Sequence, residues 1–344
     1  MKIHAMSLAI ATLVATTTAF ALDSAEPPKA EPRMQRVLEA LAALGGKPVE
    51  TLTPQEARRQ PTAADAAAKV MKDDAMPAQK DGVTVKQLDI EGAGGRIPLA
   101  VYTPPGKGPF PVVVYFHGGG FVIADTRTYE PSIRAIAAGA KAVVVSVDYR
   151  QAPEHRFPAA PEDAFAAWQW VQAHAGELGG DPGRIAVAGE SAGGNLAAVV
   201  SLMARDKGVT APVHQLLIYP VVSDDMSTPS YQRNANAKPL NKAMMQWFFK
   251  HYGADPQHPH ALPLKADTLK GLPPATVITA EIDPLASEGA SYAERLKKDG
   301  VRVDYREFDG VTHEFFGMGA AVPKALDAQR FAIEGLKKSF EAKR

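Results

Sequence analysis

The chain has 344 residues, with 38 basic and 38 acidic side chains, 28 glycines, 28 prolines and no cysteine. Hydrophobic residues make up 46% and charged residues 22%, the balance of an ordinary globular protein. The zero formal charge argues against a nucleic-acid or anionic-membrane partner, and the missing thiols exclude disulfides, a cysteine nucleophile, thiolate metal sites and iron–sulfur clusters.

At the N-terminus, Lys2 and His4 precede Ser7 to Ala21, a stretch without charge that ends in the small-x-small cleavage pattern Ala19-Phe20-Ala21. Residues 1–21 are therefore expected to be a secretory signal peptide rather than a membrane span, which needs about 20 apolar residues. Export to the periplasm or medium follows, with no stable membrane anchor after cleavage. Residues 22–32, polar and proline-rich, read as a flexible lead-in. Met34, Val37, Leu38, Leu41 and Leu44 form the apolar stripe of a helix, stopped by Gly45-Gly46 and Pro48. Thr53-Pro54-Gln55-Glu56 is a capping box that starts a second helix.

From about residue 83 the pattern changes. Val83 to Ile90 and Ile97 to Thr103 alternate apolar and polar, as half-buried strands do. Phe110 to Phe116, Ala142 to Val147, Arg184 to Gly189, Val213 to Tyr219 and Ala275 to Ala280 are short apolar runs, the signature of parallel strands buried on both faces. Helical patterns at about 129–138, 160–175, 192–206 and 284–299 separate them, and a last strand, Arg302 to Phe308, precedes a C-terminal helix carrying Ile333, Leu336 and Phe340. This predicts an α/β fold with a mostly parallel eight-stranded sheet flanked by helices. Between Tyr219 and Ala275 the alternation breaks. A loop that long is rare in a compact domain, so an inserted lid is expected, including one helix with Met244, Trp247, Phe248 and His251 on one face.

Gly189-Glu190-Ser191-Ala192-Gly193 follows a buried strand and opens a helix, the context a nucleophile elbow requires. His117-Gly118-Gly119-Gly120-Phe121 follows an earlier buried strand, and its three glycines let backbone amides converge on an oxyanion. No G-x-G-x-x-G fingerprint or Lys-Ser ending points to a nucleotide. A serine nucleophile needs a base and a carboxylate, in the chain order Ser, acid, His. Of the histidines beyond Ser191, His214 begins a strand and His251 lies on the lid helix. His258 and His260 sit in a proline-flanked loop, expected to be solvated, without a third metal ligand at the right spacing. His313, after the last strand, is the expected base. Glu281 and Asp283 both follow the strand ending at Ala280. Asp283 is preferred as the acid, although Asp283-Pro284 also makes a good helix start. Glu190 is read as supporting structure.

These motifs together resemble the hormone-sensitive-lipase-like, family IV bacterial esterases of the α/β-hydrolase superfamily. The resemblance spans residues 50 to 340, and further similar stretches are Asp148-Tyr149-Arg150, Ala152-Pro153-Glu154-His155, Phe157-Pro158-Ala159-Ala160 with Glu162-Asp163, and Asp283-Pro284-Leu285. Glu190 stands where aspartate is commoner. The resemblance implies an oxyanion hole from the amides of Gly119, Gly120 and Ala192, and a cap built from the N-terminal helices and the insertion. The expected division is 1–21 leader, 22–80 N-terminal part of the cap, 81–222 first part of the core, 223–262 cap insertion and 263–344 second part of the core. The expected activity is hydrolysis of short- to medium-chain carboxylic esters by Ser191, Asp283 and His313, with no cofactor and no metal. A lipase, amidase or acetyl-carbohydrate esterase on the same scaffold remains open, as does a non-catalytic small-ligand receptor. Phe121, Met244, Trp247 and Phe248 are candidates to line the substrate pocket, and the three from the lid helix would equally well pack the cap. The expected partner is a small ester, and a homodimer is allowed.

Overall fold

The computed structural model describes residues 28–77 and 80–342, so the expected leader, 1–21, lies outside the described residues. An eight-stranded sheet runs in the order β1-β2-β4-β3-β5-β6-β7-β8. Its strands are β1 (Thr84–Gly92), β2 (Gly95–Thr103), β3 (Phe110–Phe116), β4 (Val143–Val147), β5 (Gly180–Glu190), β6 (Gln215–Ile218), β7 (Ala275–Ile282) and β8 (Val303–Thr312). The hairpin β1–β2 and the pair β2–β4 are antiparallel, and every pairing from β4 through β8 is parallel. The eight expected strands are all present, and the sheet is mostly parallel as the apolar runs implied.

Those runs are apolar because both faces are covered. Val112, Val114 and Phe116 face one hydrophobic cluster, which holds Trp168 of α5 (Ala159–His174), Leu196 of α6 (Ala192–Asp206) and Tyr292 of α9 (Ala286–Lys298). Their neighbours Val113 and Tyr115 face the other, with Ile133 of α4 (Glu130–Ala140) and Leu336 of α10 (Pro323–Glu341). Period-two alternation thus divides one strand between two cores.

Helix α1 (Pro32–Ala43) buries Met34 and Val37 in that second cluster, and α3 (Ala63–Asp73) adds Ala66 and Val70. Between them lies α2 (Pro54–Ala57), whose capping box forms as expected: Glu56 accepts the Thr53 amide and Thr53 accepts the Glu56 amide. The lead-in is more anchored than its composition suggested. The Glu31 amide donates to the Gly310 carbonyl at 2.8 Å, and its carboxylate caps α1. The segment between β6 and β7 carries α7 (Pro229–Arg233) and α8 (Lys242–Tyr252). It meets the N-terminal helices directly, through Trp247 Nε1 to the Leu52 carbonyl at 3.1 Å and Asn241 Nδ2 to Glu50 Oε1 at 3.2 Å. Among the described residues no helix is long and apolar enough to cross a membrane.

Candidate active site

Strand order fixes where a crevice can form. From β3 the chain crosses to β4 on one side and then returns past β3 to β5 on the other, so the carboxyl ends of β3 and β5 flank a switch point. Phe116 pairs with Gly189, which sets the loops that follow them side by side. The first is His117-Gly118-Gly119-Gly120 and the second is the Ser191 turn.

Ser191 sits at φ +55° between β5 and α6, a left-handed conformation that a non-glycine residue adopts only when its surroundings impose it. Its amide donates to the Ile218 carbonyl at 2.9 Å and its carbonyl accepts from Asn195 and Val221. The turn is close enough to β3 that a Cβ on Gly193 would lie 1.9 Å from the Phe116 carbonyl oxygen, so only glycine fits. Ala192 opens α6, where the first amides have no intrahelical acceptor. Gly119, at φ +95°, and Gly120 line the same pocket as Ser191, and among the described residues no protein acceptor takes their amides. The resemblance named these three amides as the oxyanion hole, and the backbone is compatible with that role. The loop is held from behind by Tyr149, which donates to the His117 carbonyl at 2.9 Å and stacks on the His117 ring at 4.4 Å. Arg150 next to it grips the buried Asp163 through Nε and Nη2.

Asp283 lies just past β7 and is fully buried. Its two carboxylate oxygens have different partners. Oδ1 accepts the Leu285 amide at 2.9 Å, stabilising the turn into α9, which starts at Ala286, two residues later than Asp283-Pro284 suggested. Oδ2 meets His313 Nδ1 at 2.6 Å. Glu281, the rival acid, is engaged elsewhere, accepting the Gly310 amide at 2.8 Å. Asn234, from the segment between β6 and β7, donates to the Glu281 and Asp283 carbonyls and steadies the acid loop.

A carboxylate at Nδ1 fixes the tautomer, with the proton on Nδ1 and the Nε2 lone pair free. Burial opposes charge on His313 more than any other single cause. The charge and hydrogen bond of Asp283, joined by Glu314 and Glu190, together lift its pKa above the ordinary histidine value. Glu190 extends this charge network beneath the site. It is buried, accepts from Tyr115 at 2.5 Å and from Tyr219, and has its pKa pushed up to about 7, by burial first and then by the Glu314 charge. The Tyr219 ring lies 4.5 Å from the His313 ring. Glu190 is therefore supporting structure, as expected, and an ionisable one.

Ser191 and His313 line one pocket of about 50 Å³ with Leu240, Met244 and Phe248. It adjoins a wider cleft of about 450 Å³, since Gly119, Ile123, Pro239, Met244 and Glu314 line both. Of the four expected pocket residues, Met244 and Phe248 line the pocket and two do not. Phe121 turns away to stack on Tyr252 at 3.9 Å, and Trp247 turns to the N-terminal segment through its bond to the Leu52 carbonyl. The pocket residues that sequence reasoning missed are Ile123, Pro239, Leu240 and Glu314. Only Glu314, an acid directly after the expected base, left a signal that could have been used.

The four other histidines beyond Ser191 pack away from it. His214 is buried between Ser339 Oγ and Thr276 Oγ1, and burial pushes its pKa down to about 3. His251 packs edge-on against Trp247. His258 and His260 are half-buried rather than solvated, because Phe157 packs edge-on against His258 at 5.1 Å and the two imidazoles lie 4.9 Å apart. Among the described residues no group of three or more His, Asp or Glu side chains could hold a metal ion.

A sharp strand-to-helix turn at Ser191, a glycine loop beside it at the switch point and a buried Asp–His pair on a mostly parallel sheet define an α/β-hydrolase scaffold. Residues 113–317 match the family model described as alpha/beta hydrolase fold. Carboxylesterase NlhH of Mycobacterium tuberculosis is 46% identical over 254 residues, covering 72% of this chain and 79% of that protein. Two solved structures are similar over most of the chain. A thermostable esterase from Pseudomonas putida has a TM-score of 0.82 at 40% identity, covering 92% of this chain and 99% of its own. A Pyrobaculum calidifontis esterase has a TM-score of 0.79 at 40% identity, covering 90% and 98%. The chain belongs to the α/β-hydrolase family, in its hormone-sensitive-lipase-like branch, and is an ester hydrolase.

Proposed function

We propose that the protein is a serine carboxylesterase that hydrolyses short- to medium-chain acyl esters through Ser191, His313 and Asp283. One observation supports this most: the imidazole that shares a pocket with Ser191 is held at 2.6 Å by a fully buried aspartate. Ser191 Oγ attacks the ester carbonyl while His313 Nε2 takes its proton, and Asp283 stabilises the imidazolium that forms. The amides of Gly119, Gly120 and Ala192 bind the tetrahedral oxyanion. Collapse breaks the bond to the alcohol oxygen, which leaves with the proton from Nε2. Water, deprotonated by the same nitrogen, then attacks the acyl-serine and releases the acid.

The small volume beside Ser191 favours a short acyl group, and the N-terminal helices with the insertion 223–262 act as the cap over the cleft. Residues 1–21 act as an export signal on the strength of their sequence pattern, so N-terminal sequencing of exported protein should find a start near Leu22. Replacing Ser191 with alanine tests the mechanism. Turnover of p-nitrophenyl butyrate should fall by about 10⁴-fold or more with the circular-dichroism melt preserved. A folded Ser191→Ala enzyme that keeps its activity refutes it.

A further inference from the structure

Glu314 follows the proposed base, and nothing in the mechanism above uses it. Its backbone is left-handed at φ +71°, a conformation glycine adopts freely and glutamate does not, so the fold strains the chain to hold a long acidic side chain here. The carboxylate accepts from Tyr129 Oη at 2.6 Å, the one side-chain donor bonded to it among the described residues, which fixes its direction. Its Oε1 lies 3.9 Å from His313 Nε2, and the side chain lines both the small pocket and the wider cleft. A carboxylate oxygen has two lone-pair sites, so one hydrogen bond from Tyr129 leaves acceptor capacity facing the cleft.

Nε2 is the atom that hands its proton to the departing alcohol, so that alcohol oxygen must come within about 3 Å of it. A hydroxyl on the neighbouring carbon of the alcohol then reaches the Glu314 carboxylate. The wider cleft is mostly apolar, with Leu38, Leu41, Val49 and Met244, so the Glu314 carboxylate is an acidic acceptor on a largely apolar wall. We propose that Glu314 is a specificity-determining residue that selects partial esters of polyols, accepting a hydrogen bond from the hydroxyl vicinal to the scissile ester. This deepens the esterase function proposed above and rests on it.

The test compares 2-hydroxyethyl butyrate with propyl butyrate, esters of nearly the same size that differ in that hydroxyl. The ratio of their kcat/KM values is measured for the natural enzyme, for Glu314→Gly, which suits the backbone, and for Glu314→Gln, which keeps the volume and one acceptor. Intrinsic reactivity cancels between enzymes. The ratio should fall roughly tenfold in Glu314→Gly and by less in Glu314→Gln. An unchanged ratio in both variants overturns the assignment. So does an equal loss on both esters, which marks a structural role. A larger Glu314-dependent gain for 2-(dimethylamino)ethyl butyrate than for the hydroxyethyl ester overturns it in favour of an ammonium site. If the natural enzyme hydrolyses no ester at all, the esterase function falls as well.

Discussion

Replacing Asp283 with asparagine separates the two jobs of this side chain. Its oxygens are both engaged, Oδ1 by the Leu285 amide at 2.9 Å and Oδ2 by His313 Nδ1 at 2.6 Å, in a fully buried site. In Asp283→Asn the amide oxygen can still accept from Leu285, but the NH₂ group then faces Nδ1. Two donors cannot share that contact, so the imidazole moves its proton to Nε2 and loses the lone pair that would deprotonate Ser191. Turnover should fall about 10⁴-fold, equivalent to about 5 kcal/mol of barrier. The fold exchanges one charged hydrogen bond for a neutral one, a loss of about 1–3 kcal/mol. The assay is p-nitrophenyl butyrate hydrolysis across the neutral pH range, alongside urea unfolding. Because His313 works as a neutral base and its pKa is raised, kcat/KM of the natural enzyme should climb with pH through a value above the ordinary histidine range. Without the Asp283 charge that limb should move to lower pH. A loss smaller than tenfold with the limb unmoved would refute this role for Asp283.

Three further changes test the support around the site. Gly193→Ala places a methyl 1.9 Å from the Phe116 carbonyl oxygen, backbone against backbone, so urea unfolding should show a loss of at least about 3 kcal/mol together with lost turnover. His214 has a folded pKa of about 3, below its ordinary value, so its neutral form contributes stability above about pH 6.5 that is lost as pH falls towards about 3. That contribution is about 5 kcal/mol, and His214→Gln should show a shallower fall in urea midpoint over this window. Glu190 is the opposite case, with a folded pKa of about 7 above its unfolded value. Its stabilising contribution is full below about pH 4.5 and is lost as pH rises through about 7, so natural protein should lose about 3 kcal/mol relative to Glu190→Gln across that range, read from paired urea titrations.

The strands were legible because a sheet buried on both faces leaves short valine- and isoleucine-rich runs, and Ser191 and His313 stood out as candidates because each follows a strand of that sheet. Asp283 was legible only as a choice. The decision between it and Glu281 depends on where the Gly310 amide points, a contact with β8 that local sequence does not encode. The parallel direction of the strands was implicit in the alternation, but their order, with its crossing at β3, is set by long-range pairing. Pocket lining was the least legible. The lid helix pattern gives a face, but the turn of that face relative to β5 decides that Met244 and Phe248 look at Ser191 while Trp247 looks at Leu52. Phe121 adjoins the glycine loop and still points away, because the chain at φ +65° sends its ring onto Tyr252. Glu31 reads as part of a flexible lead-in, and the distant Gly310 carbonyl helps to anchor it beside its own cap on α1.

The proposed mechanism depends above all on Ser191 being the nucleophile. Incubating the protein with a fluorophosphonate probe and mapping the adduct by peptide mass spectrometry tests that directly. A single phosphonyl group on Ser191, formed in step with loss of p-nitrophenyl butyrate hydrolysis, is the expected result. Full ester hydrolysis with no adduct, or an adduct on another residue that tracks the lost activity, would contradict it.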